Sequence, residues 1–176
     1  EFKNLYEKLG IIAANDSYVN LKKIVEEHGF CPDGILFDLG LSSWHYEESK
    51  RGFSFRRDEI LDMRFNPERI RITAADMVNN SNPRELERVI SEYGEEKFAR
   101  QIAQEIVKAR KVKPIIMTFD LVVAIDRAVP QWYKRRKIHF ATKTFQALRV
   151  AVNDELKNVH EGVQAAIEVL NPGGRL

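Results

Sequence analysis

DGILFDLGLSSWHYEESKRGFSFRRDEILDMR, residues 33–64, decides how the rest of the chain is read. It opens on Ile35, Leu36 and Phe37, an apolar run too short for a helix and bounded by turn residues, which predicts a strand buried on both faces. Asp38 follows at once. In open α/β sheets ligands bind in the crevice beyond the carboxyl ends of the strands, so an acid there, backed by Gly40, Ser42 and Ser43, is placed to meet a substrate. The loop behind it carries Arg51, Arg56, Arg57 and Arg64 interleaved with Phe53 and Phe55. A long loop of that composition points to function more than to filler.

Toward the N-terminus, Phe2, Leu5, Tyr6 and Leu9 recur at helical spacing up to Gly10, and residues 11–14 read as a short strand. Asn15, Asp16 and Ser17 offer an N-cap for a helix with Leu21, Ile24 and Val25 on its apolar face and Gly29 at its end. Strand, helix and strand with short connections predict a βαβ unit of a parallel sheet. Beyond Arg64 the period changes. Asn82, Pro83 and Glu85 form a capping signature ahead of Leu86, Val89, Ile90 and Tyr93, with Gly94 as the break. Phe98, Ala99, Ile102, Ala103, Ile106 and Val107 stripe a second helix. Leu121, Val122, Ile125 and Val129 stripe a third, stopped by Pro130. Three helices without a strand between them predict an all-helical insertion. From Thr142 the α/β rhythm returns: Phe145, Leu148, Val152 and Leu156 share a face, and Val159, Val163, Ala166, Ile167 and Leu170 continue the spacing. Asn171, Pro172, Gly173 and Gly174 then turn the chain into what reads as the start of a further strand. The expected division is 1–66 and 139–176 for the α/β part and 67–138 for the helical insertion.

At 176 residues, 44% hydrophobic and 31% charged, the chain has the composition of a folded protein with one sizeable core and room for a small second domain. No apolar run approaches a membrane span and no signal-peptide core opens the chain, so a soluble, cytoplasmic protein is expected. One cysteine, Cys31, excludes an internal disulfide and a multi-thiolate metal site. His28, His45, His139 and His160 stand at no usual ligand spacing, so no metal is expected. Gly-rich phosphate loops and nucleophile elbows are also absent. Net charge is only +2, but its distribution is uneven. Between Asp126 and Asp154 there is no acid, while Arg127, Lys134, Arg135, Arg136, Lys137, Lys143 and Arg149 are basic, with Trp132, Tyr133, His139 and Phe140 among them. That mixture suits a phosphate backbone and an unstacked base, and it equally suits a solvated helix end.

DGILFDLGLSS, RGFSFRRDEILDMR, EYGEEKFARQIAQEIVKAR, KIHFATKTFQALRVAVNDEL and LNPGGR, in this order and spacing, resemble the bacterial family of 16S ribosomal RNA cytosine-N4 methyltransferases, the RsmH or MraW family. The resemblance covers essentially the whole chain. It implies a class I, Rossmann-like methyltransferase core of α/β type, here incomplete, with an inserted helical subdomain that helps hold RNA. S-adenosylmethionine is the implied cofactor, and a cytosine in the decoding region of the small ribosomal subunit the implied substrate. The family's Gly-rich GGHS-like turn, the acid of its second strand and its SFHSLEDR-like segment do not occur in these residues, which implies the middle of a larger enzyme.

Carried over by position, Tyr18 matches an aromatic near the adenine and Asp38 the acid facing the cofactor. His45 stands where the family's SSPQ has Gln, and Trp44 where it has Pro. The cytosine amine is a weak nucleophile, so the implied chemistry is positioning: Asp38, Ser42 and carbonyls around Gly40 would accept N4–H hydrogen bonds and align the nitrogen with a sulfonium methyl. A covalent cysteine is not called for. The target base must be unstacked to be reached; Trp44, Phe53 and Phe55 are candidates to stack on it. Arg51, Arg56, Arg57, Lys134, Arg135, Arg136, Lys137 and Lys143 are the candidate phosphate contacts. For the loop arginines, pairing with Asp58, Glu59 and Asp62 is the competing reading, and for Arg64 the preferred one. Two other classes stay open: a DNA amino-methyltransferase, although DLGLSS lacks the usual D/S-P-P-Y/W motif, and a non-catalytic ribosome-binding relative, which the SSWH departure permits.

Overall fold

The computed structural model describes residues 9–176, so the helix expected over Phe2, Leu5 and Tyr6 lies outside the described residues. Nine α-helices occur among them: α1 Leu21–His28, α2 Ser43–Glu47, α3 Ala74–Asn80, α4 Pro83–Gly94, α5 Ala99–Val112, α6 Thr118–Ala128, α7 Gln131–Lys134, α8 Thr142–Val152 and α9 Glu155–Val169, with a 3-10 turn at Tyr18–Asn20 before α1. The chain divides into two compact units, Glu1–Leu39 with Leu156–Leu176, and Gly40–Glu155. The boundaries expected at 66/67 and 138/139 both fall inside the second unit. No helix of the described residues is long and apolar enough to cross a membrane.

In the first unit the Ser17 hydroxyl caps the 3-10 turn by accepting the Val19 N–H, and α1 buries Val25 before stopping at Gly29. The strands expected at 11–14 and 35–37 are not formed. Among the described residues the 35–37 segment pairs only through a parallel bridge between Gly34 and Arg175: Ile35 N–H donates to the Arg175 carbonyl at 2.9 Å and Arg175 N–H to the Asp33 carbonyl at 3.0 Å. Leu36 is 94% exposed. A doubly buried strand needs ladders on both sides and a layer on both faces, and the described residues supply one partner and leave Leu36 uncovered. The Asn171 turn is tied to the same segment, its N–H donating to the Pro32 carbonyl at 3.0 Å and its side-chain amide to Asp33 at 2.9 Å.

In the second unit the helices form where caps and stripes coincide. Asn82 Oδ1 accepts the Glu85 N–H at 2.9 Å, Pro83 opens α4, and Leu86, Val89 and Ile90 are buried on one side. α5 buries Ala99, Ile102, Ala103 and Ile106, and α6 buries Leu121, Ala124 and Ile125. The face expected to run from Phe145 to Leu156 is broken: α8 ends at Asn153, Asp154 takes a left-handed conformation with φ 49°, and Leu156 is exposed. Phe53, Leu61 and Met63 of the arginine-rich loop are buried in the same apolar cluster as the helices, so this loop is part of the helical core. Where α4 meets α8 there is no room for a side chain. A Cβ at Gly94 would lie 2.5 Å from the Lys143 carbonyl oxygen and 3.1 Å from Ala147 Cβ. Gly94→Ala is therefore expected to cost about 1–3 kcal/mol through overpacking, outweighing alanine's better helix propensity. The measurement is thermal melting, and an unchanged transition would mean that α8 yields freely.

Candidate functional site

The arginine loop is pinned by backbone contacts. Leu61 N–H donates to the Ile116 carbonyl and Thr118 N–H to the Glu59 carbonyl, both at 2.9 Å, flanking an antiparallel bridge between Ile60 and Met117. The Asp62 and Leu61 carbonyls receive the Ala74 and Ala75 N–H groups at the start of α3. Arg51 closes the loop from inside, its Nη1 donating to the carbonyls of Arg64 at 3.2 Å and Phe65 at 3.1 Å while its guanidinium lies 5.6 Å from the Trp44 ring centre. Arg64 is held by Asp62 through two 2.7 Å hydrogen bonds. Partial burial pushes the Asp62 carboxyl up, but the Arg64 hydrogen bonds outweigh it and leave the group below the usual carboxylate range. The preferred reading of Arg64 as internally paired is what the structure shows, and the Nη1 of Arg51 is likewise turned to carbonyls of the loop.

Ser42 stands directly before the short α2, and its Oγ is hydrogen-bonded to His45 Nδ1 at 2.9 Å. The His45 ring is packed edge-on against Trp44, Phe53 and Phe65. Burial among these rings, then the positive charge of Arg51, lowers its pKa from the ordinary 6.5. The imidazole is therefore neutral at neutral pH, as an amide would be. A histidine whose folded pKa is depressed contributes stability fully above the unfolded value and loses it as pH falls through 6.5 toward the folded one. The urea midpoint is expected to drop between about pH 7.5 and about pH 5.5, and His45→Gln to flatten part of that slope. An identical slope in the variant would remove His45 from this account. His139, also lowered by burial, contributes in the same window, whereas Asp62 and Asp76 act only below the usual carboxylate range.

The two basic stretches that lie far apart in sequence meet at one place. Phe55, Arg56, Lys137, Ile138, His139 and Thr142 line a cleft of about 450 Å³. The Phe55 and His139 rings are stacked with centres 4.4 Å apart and planes within 9°; His139 also stacks on Phe140 at 4.2 Å, and Phe55 is edge-on to Phe145 at 5.6 Å. His139 Nδ1 accepts the Ala141 N–H at 3.2 Å. Burial lowers its pKa, so the neutral ring carries its proton on Nε2 and offers a donor.

The remaining candidate cations are divided by their partners. Lys134 is paired with Asp126 at 2.7 Å with its side chain 17% exposed, and Lys143 donates to the Glu95 carbonyl at 2.7 Å. Arg57 is exposed and donates to the Glu47 carbonyl at 2.8 Å. Arg135 is exposed, and Arg136 sits 5.3 Å from the Tyr133 ring centre. Trp132 and Tyr133 do not line the cleft. They pack with Phe98 beneath Lys97, and the buried Tyr133 hydroxyl donates to Glu96 at 2.6 Å. Burial and the Glu96 carboxylate push that hydroxyl up to about 12.

Tyr18 and Asp38 belong to the first unit. The Tyr18 ring is edge-on to Phe37 at 5.6 Å and lies against α9, where a Cβ at Gly162 would come within 2.4 Å of it. Asp38 is exposed just after residues 35–37, and its carboxylate accepts no hydrogen bond from the described residues. Among those residues no group of His, Cys, Asp and Glu is arranged to hold a metal.

The model of the MraW methylase family matches residues 1–176. A protein of Carboxydothermus hydrogenoformans named ribosomal RNA small subunit methyltransferase H is 46% identical over 166 residues, which is 94% of this chain and 53% of that protein. Proteins of the same name from Lactobacillus johnsonii and Treponema denticola are 45% identical over 168 residues and 52% identical over 145. They align with 94% and 82% of this chain and with 53% and 46% of their own lengths. The chain spans about half the length of the curated relatives it matches.

Proposed function

This chain belongs to the MraW methylase family, and from that premise we propose that it serves S-adenosylmethionine-dependent methylation of the exocyclic N4 amine of a cytosine in 16S ribosomal RNA. The observation that carries the reading is the family match over residues 1–176, with relatives named for small-subunit ribosomal RNA methylation. The cationic, aromatic cleft of the second unit independently supports a nucleic-acid substrate. In this reading the small ribosomal subunit is the partner, the cytoplasm the compartment, and the helical residues 67–138 belong to RNA recognition.

The cofactor would supply a sulfonium methyl group. Asp38 fits a place beside it, since its exposed carboxylate is uncommitted. Tyr18 would contribute a ring edge from a fixed position, because Phe37 and Gly162 hold it. His45 would present a neutral donor or acceptor where the family has an amide. The cytosine N4 lone pair is delocalised into the ring, so acceleration comes from orientation and from acceptors for N4–H. Asp38 is the first of these acceptors. Ser42 is the second, since a hydroxyl hydrogen-bonded to His45 Nδ1 still has a lone pair to offer.

The test is transfer of a labelled methyl group from S-adenosylmethionine by the full-length gene product, offered small ribosomal subunits, free small-subunit RNA and duplex DNA in parallel. Label in RNA alone is expected. Label in DNA alone would replace this reading with a DNA amino-methyltransferase, and ribosome binding without transfer would replace it with a non-catalytic relative.

A further inference from the structure

We propose that the cleft between Phe55–Arg56 and Lys137–Thr142 seats one unstacked nucleotide of single-stranded RNA, its base against the Phe55–His139 stack and its flanking phosphates at Arg56 and Lys137. The proposal rests on the RNA reading above and names the part of the second unit that grips the strand. Partnering separates these two cations from Arg51, Lys134 and Lys143. The guanidinium of Arg51, the ammonium of Lys134 and the ammonium of Lys143 are committed to protein acceptors. The side chains of Arg56 and Lys137 are exposed and bond to nothing among the described residues, although both border a cleft of about 450 Å³. Unpaired cations beside a half-covered aromatic stack are the combination that holds a strand by its backbone while a base finds a π-face.

The apolar and polar details agree with a base. Ile138 is 57% exposed at the rim, an aliphatic surface that a base edge would cover. His139 offers Nε2–H to a ring nitrogen or carbonyl, its Nδ1 being occupied by the Ala141 N–H. Thr142, where α8 begins without a capping side chain, adds a hydroxyl to the same wall. In duplex RNA the base faces are stacked inside the helix and out of reach, so the cleft selects single strands.

The test is fluorescence anisotropy of a fluorescein-labelled, mixed-sequence RNA about ten nucleotides long, single-stranded and as a duplex, titrated with the full-length protein over a range of salt. The variants are R56Q/K137Q and H139A. R56Q/K137Q is expected to weaken single-strand binding roughly tenfold and to reduce the slope of log K against log salt by about 1.4, the value for two single-strand phosphate contacts. H139A is expected to weaken it at least about fivefold with the slope unchanged. Should H139A fail to fold, R56Q/K137Q decides alone, since it alters only exposed, unbonded side chains. Unchanged binding in R56Q/K137Q overturns the proposal, as does equal weakening on the duplex or loss of labelled S-adenosylmethionine binding in place of RNA binding. Wild-type methyl transfer measured alongside keeps the two readings apart. Transfer with RNA binding unmoved by the variants removes the cleft and leaves the function, and weakened RNA binding without any wild-type transfer does the reverse.

Discussion

Replacing Asp38 with alanine in the full-length protein is expected to lower methyl transfer to small-subunit RNA about 10²-fold or more while leaving melting unchanged. The two halves of that expectation come from one observation: the carboxylate is exposed and accepts nothing from the described residues. A surface group without partners contributes within about ±0.5 kcal/mol to stability, so lost activity cannot be blamed on lost fold. A preorganised acceptor aimed at the reacting amine is worth about 10²–10³ in rate by analogy with other electrostatic stabilisers. Asp38→Asn retains one carbonyl acceptor without the charge and is expected to recover part of the rate. Single-turnover kinetics at saturating RNA is the measurement, and full activity in the alanine variant would remove Asp38 from the chemistry.

The largest stability effect is expected at Asn153. Its Oδ1 accepts the Phe65 N–H at 2.7 Å, and its Nδ2 donates to the Met63 carbonyl at 2.7 Å and the Arg149 carbonyl at 2.9 Å. Asn153 is 4% exposed and Met63 fully buried, with Met63 in the left-handed region at φ 61°. A non-glycine residue persists there only where its surroundings over-determine it, and the Asn153 amide is one such restraint. Asn153→Ala leaves the buried Met63 carbonyl and the part-buried Phe65 N–H without this partner, at about 1–3 kcal/mol each. The expected loss is about 3 kcal/mol or more, a fall in melting temperature of about 6–12 °C for a chain of this size. A fall below about 2 °C would mean that the loop is held by Arg51 and its own backbone alone.

How much of this was legible in the residues depends on how local the deciding contact is. α4 could be placed because Asn82, Pro83 and Glu85 act within one turn of one another, and the stripes of α5 and α6 read correctly for the same reason. α3 carries the same kind of signal, since the Thr73 hydroxyl accepts the Asp76 N–H and Asp76 reaches back to Thr73 N–H. Its N3 residue is Asp where the usual capping pattern has Glu or Gln, and the helix was not expected. The apolar run at 35–37 predicts a doubly buried strand only on the presumption of neighbours; among the described residues only Arg175 pairs with it, and Leu36 is exposed.

For the candidate site, charge was legible but commitment was not. Nothing near Lys143 in sequence says that its ammonium reaches the Glu95 carbonyl, and nothing near Arg51 says that it braces Arg64 and Phe65. Phe55 is a candidate stacking residue by sequence and His139 is one of the rings beside the basic stretch, yet their partnership is a long-range contact that no spacing rule predicts. Asn153 passed unnoticed for the same reason. The residues that resemblance could carry over were those whose role belongs to a motif, Asp38 above all.

The most direct measurement is mass-spectrometric nucleoside analysis of 16S RNA from small subunits incubated with the full-length protein and S-adenosylmethionine, starting from subunits that lack the modification. N4-methylcytidine is the expected product, because the proposed acceptors serve an exocyclic amine and no cysteine nucleophile is required. Methylation at a ring carbon or a ribose oxygen, or no methylation at all, would contradict the account.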